Sequence, residues 1–348
     1  MKSVLKSYVE SFALGQGEQH KNMTVFPILS SLNGAPEYLT MKEALEKGVF
    51  VVTEINEGGT VPNLKVSNTA DIPVLLLDGE ELAGAKQNRV LNTTILVMAK
   101  AEVIVPVSCT EHGRWSYVSA EFSESGNVMS PKLRTINKSA VASSLESGRQ
   151  YQGDQGAVWD EISHLEVGAG AKSSTGAMKD VYEARADELE AYLKAFSCGT
   201  DQKGFLVMIG GTVMGFDFVS QGKAFALLFP KLIKSYAMDA WLGSRTKGKG
   251  KAADGKHGDA QAQGQASGRT ADLDLDKAKA FMTFIERCGQ KSYDSVGMGK
   301  DVRFDGEGIV GSALVVDEKL IHMAVFSTTD TEKAGNMAGM SRRRSFRT

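Results

Sequence analysis

Apolar and polar positions alternate along this chain with two different periods. Val4, Leu5, Tyr8, Val9 and Phe12 recur at helical spacing, so an amphipathic helix is expected within residues 1–22. From 23 to about 130 the apolar residues come in short runs: TVFPIL at 24–29, VFVVTEI at 49–55, NLKVSN at 63–68, PVLLL at 73–77, TILVM at 94–98 and EVIVPVSC at 102–109. Val, Ile and Thr dominate these runs, and Gly58-Gly59, Asn68 and Asp78-Gly79 punctuate them, which predicts a mainly β half of antiparallel, sandwich-like strands. One helix, at 41–48, interrupts them, with Thr40 as N-cap and Gly48 as the stop.

Beyond 130 the period lengthens. Helical spacing marks 137–147, 155–165 and 177–196, the last carrying Val181, Leu189, Tyr192, Leu193 and Phe196 on one side. A hairpin is predicted over 204–219 around Gly210-Gly211, followed by a long helix at 222–242. In that hairpin Asp217 alternates with Val213, Gly215 and Val219, opposite Met214, Phe216 and Phe218, and a lone carboxylate on such a face is expected to be paired. Residues 244–270 contain no large apolar side chain and read as a flexible low-complexity insert. A helix at 273–288 and strands at 301–305, 309–316 and 319–327 complete the second half (131–327), and the basic tail 328–348 is expected to be disordered. The fold class is therefore α+β: an antiparallel β-sandwich-like half packed against an α/β half with a long helix and antiparallel strands.

Composition narrows the function classes. The 40 Lys and Arg nearly balance 42 Asp and Glu, a net charge of -2, so no global field attracts a polyanion and nucleic acid is an unlikely partner. Cys109, Cys198 and Cys288 are too scattered for a disulfide framework or a metal knuckle and read as reduced thiols. Lys6, Ser7 and Glu10 break any secretory apolar run, and no stretch reaches the roughly 20 apolar residues of a membrane span. The expectation is a soluble, cytoplasmic protein. Its oligomeric state and cofactors are not legible.

Three polar clusters carry candidate chemistry. In DGEELAGAKQNRVLN, 78–92, Asp78 is either a turn former or a pocket carboxylate. Glu80 and Glu81 would point to opposite faces of a strand, so only one could serve a site as a base. Lys86, Gln87, Asn88 and Arg89 supply donors that either wrap an anionic or sugar-like ligand or decorate a solvated loop. In CTEHGRWSY, 109–117, His112, Arg114 and Trp115 combine a titratable ring, a charged fork and a stacking surface, which suits an adenosine-phosphate clamp. The alternative places His112 in a turn and Trp115 in the core. In GDQGAVWDEISH, 153–164, Asp154 is an N-cap, while Gln155 and Trp159 are candidates to line a cleft.

Several motifs fail. GAGAKSST at 168–175 lacks the glycines of a P-loop, and DLDLD at 272–276 precedes a helix, whose positive end favours acids. No HExxH, GxSxG or CxxC pair occurs, so no metal site is expected.

VLLLDGEELAGAKQNRVLNT, VIVPVSCTEHGRWSY, DQGAVWDEI, GFLVMIGGTVMGFDFV and LFPKLIKSYAMDA together resemble one family. It is the prokaryotic domain named for its association with ADP-ribosylglycohydrolase and rhodanese-phosphatase proteins. The resemblance covers about 23–327 without the 244–270 stretch. It implies an intracellular protein in systems that handle ADP-ribose or phosphate, and it transfers no catalytic residues. Two readings follow. One is an accessory or binding module for a nucleotide-like ligand or a partner enzyme. The other is a hydrolase or transferase using Glu80 or Glu81 as base with His112, and Lys86, Arg89 and Arg114 holding charge.

Overall fold

The strand Met23–Leu29 pairs antiparallel with Gln202–Ile209, so the two halves of the chain share one sheet. In the computed structural model, residues 2–328 are described apart from 57, 60, 251–262 and 307. The fold is α+β with antiparallel sheets, one of them curled into a half-barrel. The sole parallel pairing among the described residues joins Leu39–Thr40 to Val74–Leu76.

The largest sheet has nine strands and runs from Ala13–Leu14 through Met23–Leu29, Gln202–Ile209, Thr212–Val219, Lys319–Ser327, Ile309–Val316 and Lys300–Gly306 to Gly289–Asp294, with Glu18–His20 also on Met23–Leu29. Both its faces are covered, which is why its central strands read as continuous apolar runs. Phe205 and Val207 face the core under the long helix Gly222–Gly250, against Phe225, Phe229 and Tyr236. Leu206 and Met208 face the opposite core, closed by Leu5, Tyr8 and Val9 of the helix Lys2–Ser11 and by Met282 and Ile285 of Gln263–Ile285.

The second sheet, of six strands, is ordered Phe122–Val128, Glu80–Gly84, Arg89–Leu91, Ala101–Cys109, Asn63–Asn68, Phe50–Thr53. Its two outer strands approach each other around a core that includes Phe50, Leu64, Leu82, Val105 and Phe122.

Local expectations meet the backbone at many points. Thr40 caps Met41–Glu46 through a reciprocal box with Glu43, and Asp154 caps Gln155–Ala169. The hairpin turns at Gly210-Gly211. One alternation is corrected there: a bulge leaves Met214 unpaired between Val213 and Gly215, so Val213 joins Phe216 and Phe218 while Met214 moves to the face of Asp217. The helix expected over 177–196 is two, Met178–Glu183 and Ala186–Leu193, broken where Arg185 reaches back to the Gly170 carbonyl. Helical backbone enters the 244–270 stretch from both sides, to Gly250 and from Gln263. The middle of that stretch and the tail from 329 lie outside the described residues. Among the described residues no helix is long and apolar enough to cross a membrane.

Candidate functional site

Asp78 sits in a turn, though not in a hairpin, because the strands it joins belong to different sheets. Gly79 makes that turn with a φ of 80°. The Asp78 carboxylate is buried and accepts from the Arg134 Nε at 3.2 Å, the Lys138 Nζ at 2.8 Å and the Thr94 hydroxyl at 3.1 Å. Arg134 also donates to both oxygens of Asp217, at 2.7 and 2.9 Å, and Tyr236 donates to the second. Asp217 is therefore paired, as its lone position required. Burial alone would raise both carboxyls, but Arg134 and its neighbours hold Asp78 well below the carboxylate range and Asp217 at about 2. Burial pushes Lys138 down to about 8 and lowers His322, which lies between the two aspartates. This fully enclosed cluster fastens helix to sheet.

Glu80 and Glu81 do point to opposite sides of their strand. Glu80 accepts from Lys231, which Glu124 also holds, and from the Leu77 N–H at 2.6 Å. Glu81 is completely buried and accepts from Thr110 at 2.8 Å, Ser125 at 2.9 Å and Asn127 at 3.3 Å. Burial, only partly offset by those donors, pushes Glu81 up to about 6. His112 is exposed and meets the edge of Trp159, ring centroids 4.4 Å apart.

The guanidinium of Arg114 is taken up by its own loop. It donates to Glu111 at 2.6 and 2.9 Å, to the carbonyls of Ala85 and Ser116 at 2.7 and 2.9 Å, and to Asn88 at 3.2 Å. Asn88 also accepts from the Gly84 N–H, and its own N–H donates to Glu111. Gln155 clamps the backbone of Cys109, accepting from its N–H at 2.7 Å and donating to its carbonyl at 2.8 Å. These hydrogen bonds tie the loops at 84–88 and 109–116 to one another and to the start of the helix Gln155–Ala169.

What remains converges. Arg89 is fully buried, and its Nη1 donates to the backbone and side-chain oxygens of Gln87, both at 3.2 Å. Its Nε and Nη2, which form the side-on edge that grips an oxyanion with two parallel bonds, have no hydrogen-bond partner. The Glu54 carboxylate stands 3.6 Å from Nη2, and neither of its oxygens receives a hydrogen bond. Above them lies Trp115, 49% exposed, with its ring 5.8 Å from the Arg89 guanidinium. Lys86 lies 5.4 Å from that ring and 5.1 Å from Tyr117, anchored by a bond to the Gly58 carbonyl. Gly59, with a φ of 74°, brings the backbone close: a Cβ there would lie 3.1 Å from Lys86 Cδ and 3.6 Å from Glu54 Oε2. A lysine, a buried Arg89–Glu54 ion pair without hydrogen bonds along the Nε–Nη2 edge, and a half-exposed indole thus occupy one corner of the half-barrel.

Sequence reasoning named Lys86, Arg89 and Arg114 as charge holders beside Trp115 and did not single out Glu54. The signal for Glu54 was thin, a carboxylate closing the run VFVVTEI.

A second concavity, of 520 Å³, was not anticipated. Helix Gln155–Ala169 contributes Glu161, His164 and Leu165 to it, the long helix contributes Asp239 and Leu242, and Lys132 and Met214 complete its wall. The i, i+3, i+4 spacing of the first three was readable as one helical face, but not its partner. None of Glu80, Glu81 and His112 lines this pocket. Among the described residues no group of three or more His, Cys, Asp or Glu is placed to hold a metal, and none of the three cysteines is in a disulfide.

One family model, described as the ARG and Rhodanese-Phosphatase-superfamily-associated Protein domain, matches residues 11–326. No curated protein and no solved structure matches the chain.

Proposed function

Because the chain belongs to the ARG and Rhodanese-Phosphatase-superfamily-associated Protein domain family, we propose that it is an accessory, ligand-binding domain in ADP-ribose, nucleotide or phosphate handling, with its ligand at Arg89, Lys86 and Trp115. The observation that carries this reading is the Nε–Nη2 edge of Arg89, buried without a hydrogen bond and ion-paired at 3.6 Å with a Glu54 carboxylate that accepts none. Buried charged groups without hydrogen bonds are costly, and a phosphate oxygen pair satisfies that edge in the geometry it prefers. Trp115 then offers its exposed face to a base and Lys86 a second positive charge. Glu54 keeps the guanidinium in place between binding events.

The test is calorimetry and thermal shift with ADP-ribose, NAD, nucleotides, phosphosugars and inorganic phosphate on wild type, Arg89→Lys and Trp115→Ala. Losing the charge-assisted fork costs about 1.5–3 kcal/mol of binding and losing the stacking face about 1–3 kcal/mol. Trp115→Ala should melt close to wild type. Silence across the panel, or affinities indifferent to Arg89, would remove the reading and leave a partner protein as the better one.

A hydrolase or transferase is the second reading. Glu81, pushed up to about 6, has the proton affinity of a general acid or base, but each of its oxygens already accepts a hydrogen bond. Turnover by the wild type that Glu81→Gln abolishes without unfolding would put this reading first.

A further inference from the structure

The 520 Å³ pocket between the helix Gln155–Ala169 and the long helix has an ordered polarity. Its basic side chains stand at the mouth: the His164 side chain is 75% exposed, that of Lys132 is 45% exposed, and Arg245 is exposed too. Its carboxylates lie deeper, with Glu161 only 7% exposed and Asp239 part-buried. Leu165, Met214 and Leu242 supply apolar wall beside them.

We propose that this pocket binds an amphipathic amine, its apolar body against Leu165, Met214 and Leu242 and its ammonium head on Asp239 and Glu161. The site is separate from the Arg89 corner and does not depend on that reading. Three kinds of guest can be compared. A carboxylate or phosphate head reaching the deep end would meet two acids. A wholly apolar guest would strip water from both carboxylates and return no hydrogen bond. An ammonium supplies three donors and the missing positive charge.

Lys132 leaves that charge incomplete. Its Nζ pairs with Glu161 at 2.9 Å and acts on Asp239 only as the weakest of the influences on that carboxyl, while Asp239 accepts hydrogen bonds from the Lys132 backbone N–H, at 3.0 Å, and from the Ser130 side chain. The other titratable groups facing Asp239 are Glu161 and the buried hydroxyl of Tyr182, neither of which brings a positive charge. Burial, with Glu161 adding to it, pushes the Asp239 carboxyl up to about 6. A bound ammonium favours the ionised form, so binding is constant above pH 6 and weakens by about tenfold per pH unit well below it.

Cyclohexylamine, cyclohexanol and cyclohexanecarboxylate share a ring and differ in the head group, and they are the probes. Titration calorimetry on the full chain should find the amine binding at pH 7.5, with the alcohol and the carboxylate at least tenfold weaker. Asp239→Asn should weaken the amine by at least tenfold and flatten its pH dependence. Glu161→Gln should weaken it independently, and serves if the first variant melts well below wild type. The proposal is overturned if the carboxylate binds as well as the amine, if no amine binding is detected, or if both variants keep wild-type affinity.

Discussion

Replacing Glu81 by Gln removes a buried ionisation and little else. The carboxyl is raised from 4.5 to about 6 by burial, so the folded chain holds this proton more tightly than the unfolded chain does. At 1.36 kcal/mol per pH unit, the contribution of this one group to stability is highest below pH 4.5 and falls by about 2 kcal/mol as pH rises through 6, then stays level. A Gln amide fits the same three partners: its oxygen accepts from Ser125 and Asn127, and its NH2 donates to the Thr110 hydroxyl in place of accepting from it. The expected outcome is equal stability of the two proteins at pH 4 and an advantage of about 2 kcal/mol for Glu81→Gln at pH 7.5. Urea unfolding at half-unit steps between those limits measures it. Asp239 contributes a decline of the same sign in both proteins, so the difference between the curves, rather than either slope, isolates Glu81. Glu81→Ala is the control: it leaves three donors unanswered and should lose stability at every pH. Parallel curves for wild type and Glu81→Gln would refute the reasoning, since the carboxyl would then titrate as it does in the unfolded chain.

Arg134→Met leaves Asp78 and Asp217 without their shared guanidinium and should cost about 3–5 kcal/mol in urea unfolding; a loss under 1 kcal/mol would mean that Lys138 and His322 suffice. Gly79→Ala places a Cβ at a φ of 80° and 3.1 Å from Arg134 Cγ, so about 1–2 kcal/mol of backbone strain should appear in the same assay. Unchanged stability there would show that the turn relaxes.

Local chemistry was the legible part of this chain. The Thr40 and Asp154 caps, the Gly210-Gly211 hairpin and the apolar runs at 63–68 and 309–316 each depend on neighbours in sequence. The short strands Glu80–Gly84 and Arg89–Leu91 were hidden because each opens on buried charge, Glu80 and Glu81 in the first and Arg89 in the second, and the two glutamates are satisfied by partners such as Thr110 and Lys231 far along the chain. The same distance problem governed the candidate site. Lys86, Arg89 and Trp115 could be chosen by residue type, but that the loop around Arg114 takes up its guanidinium while Arg89 Nε and Nη2 have no hydrogen bond could not be read locally. Glu54 and Asp239 enter only through tertiary contacts.

The pairing of Met23–Leu29 with Gln202–Ile209 also sets a timetable for the nascent chain. The apolar strand leaves the ribosome well before its neighbour exists, a gap of roughly 180 residues or on the order of ten to forty seconds at ordinary elongation rates. Throughout that interval TVFPIL has the two small flaps Ala13–Leu14 and Glu18–His20 along one edge, and the opposite edge, which later takes Gln202–Ile209, is bare. The half-barrel strands, which pair among themselves, can close in the meantime, while the nine-stranded sheet waits for the second half of the message. Codon choice, chaperone occupancy and any truncation between the two strands therefore act on the same vulnerable edge.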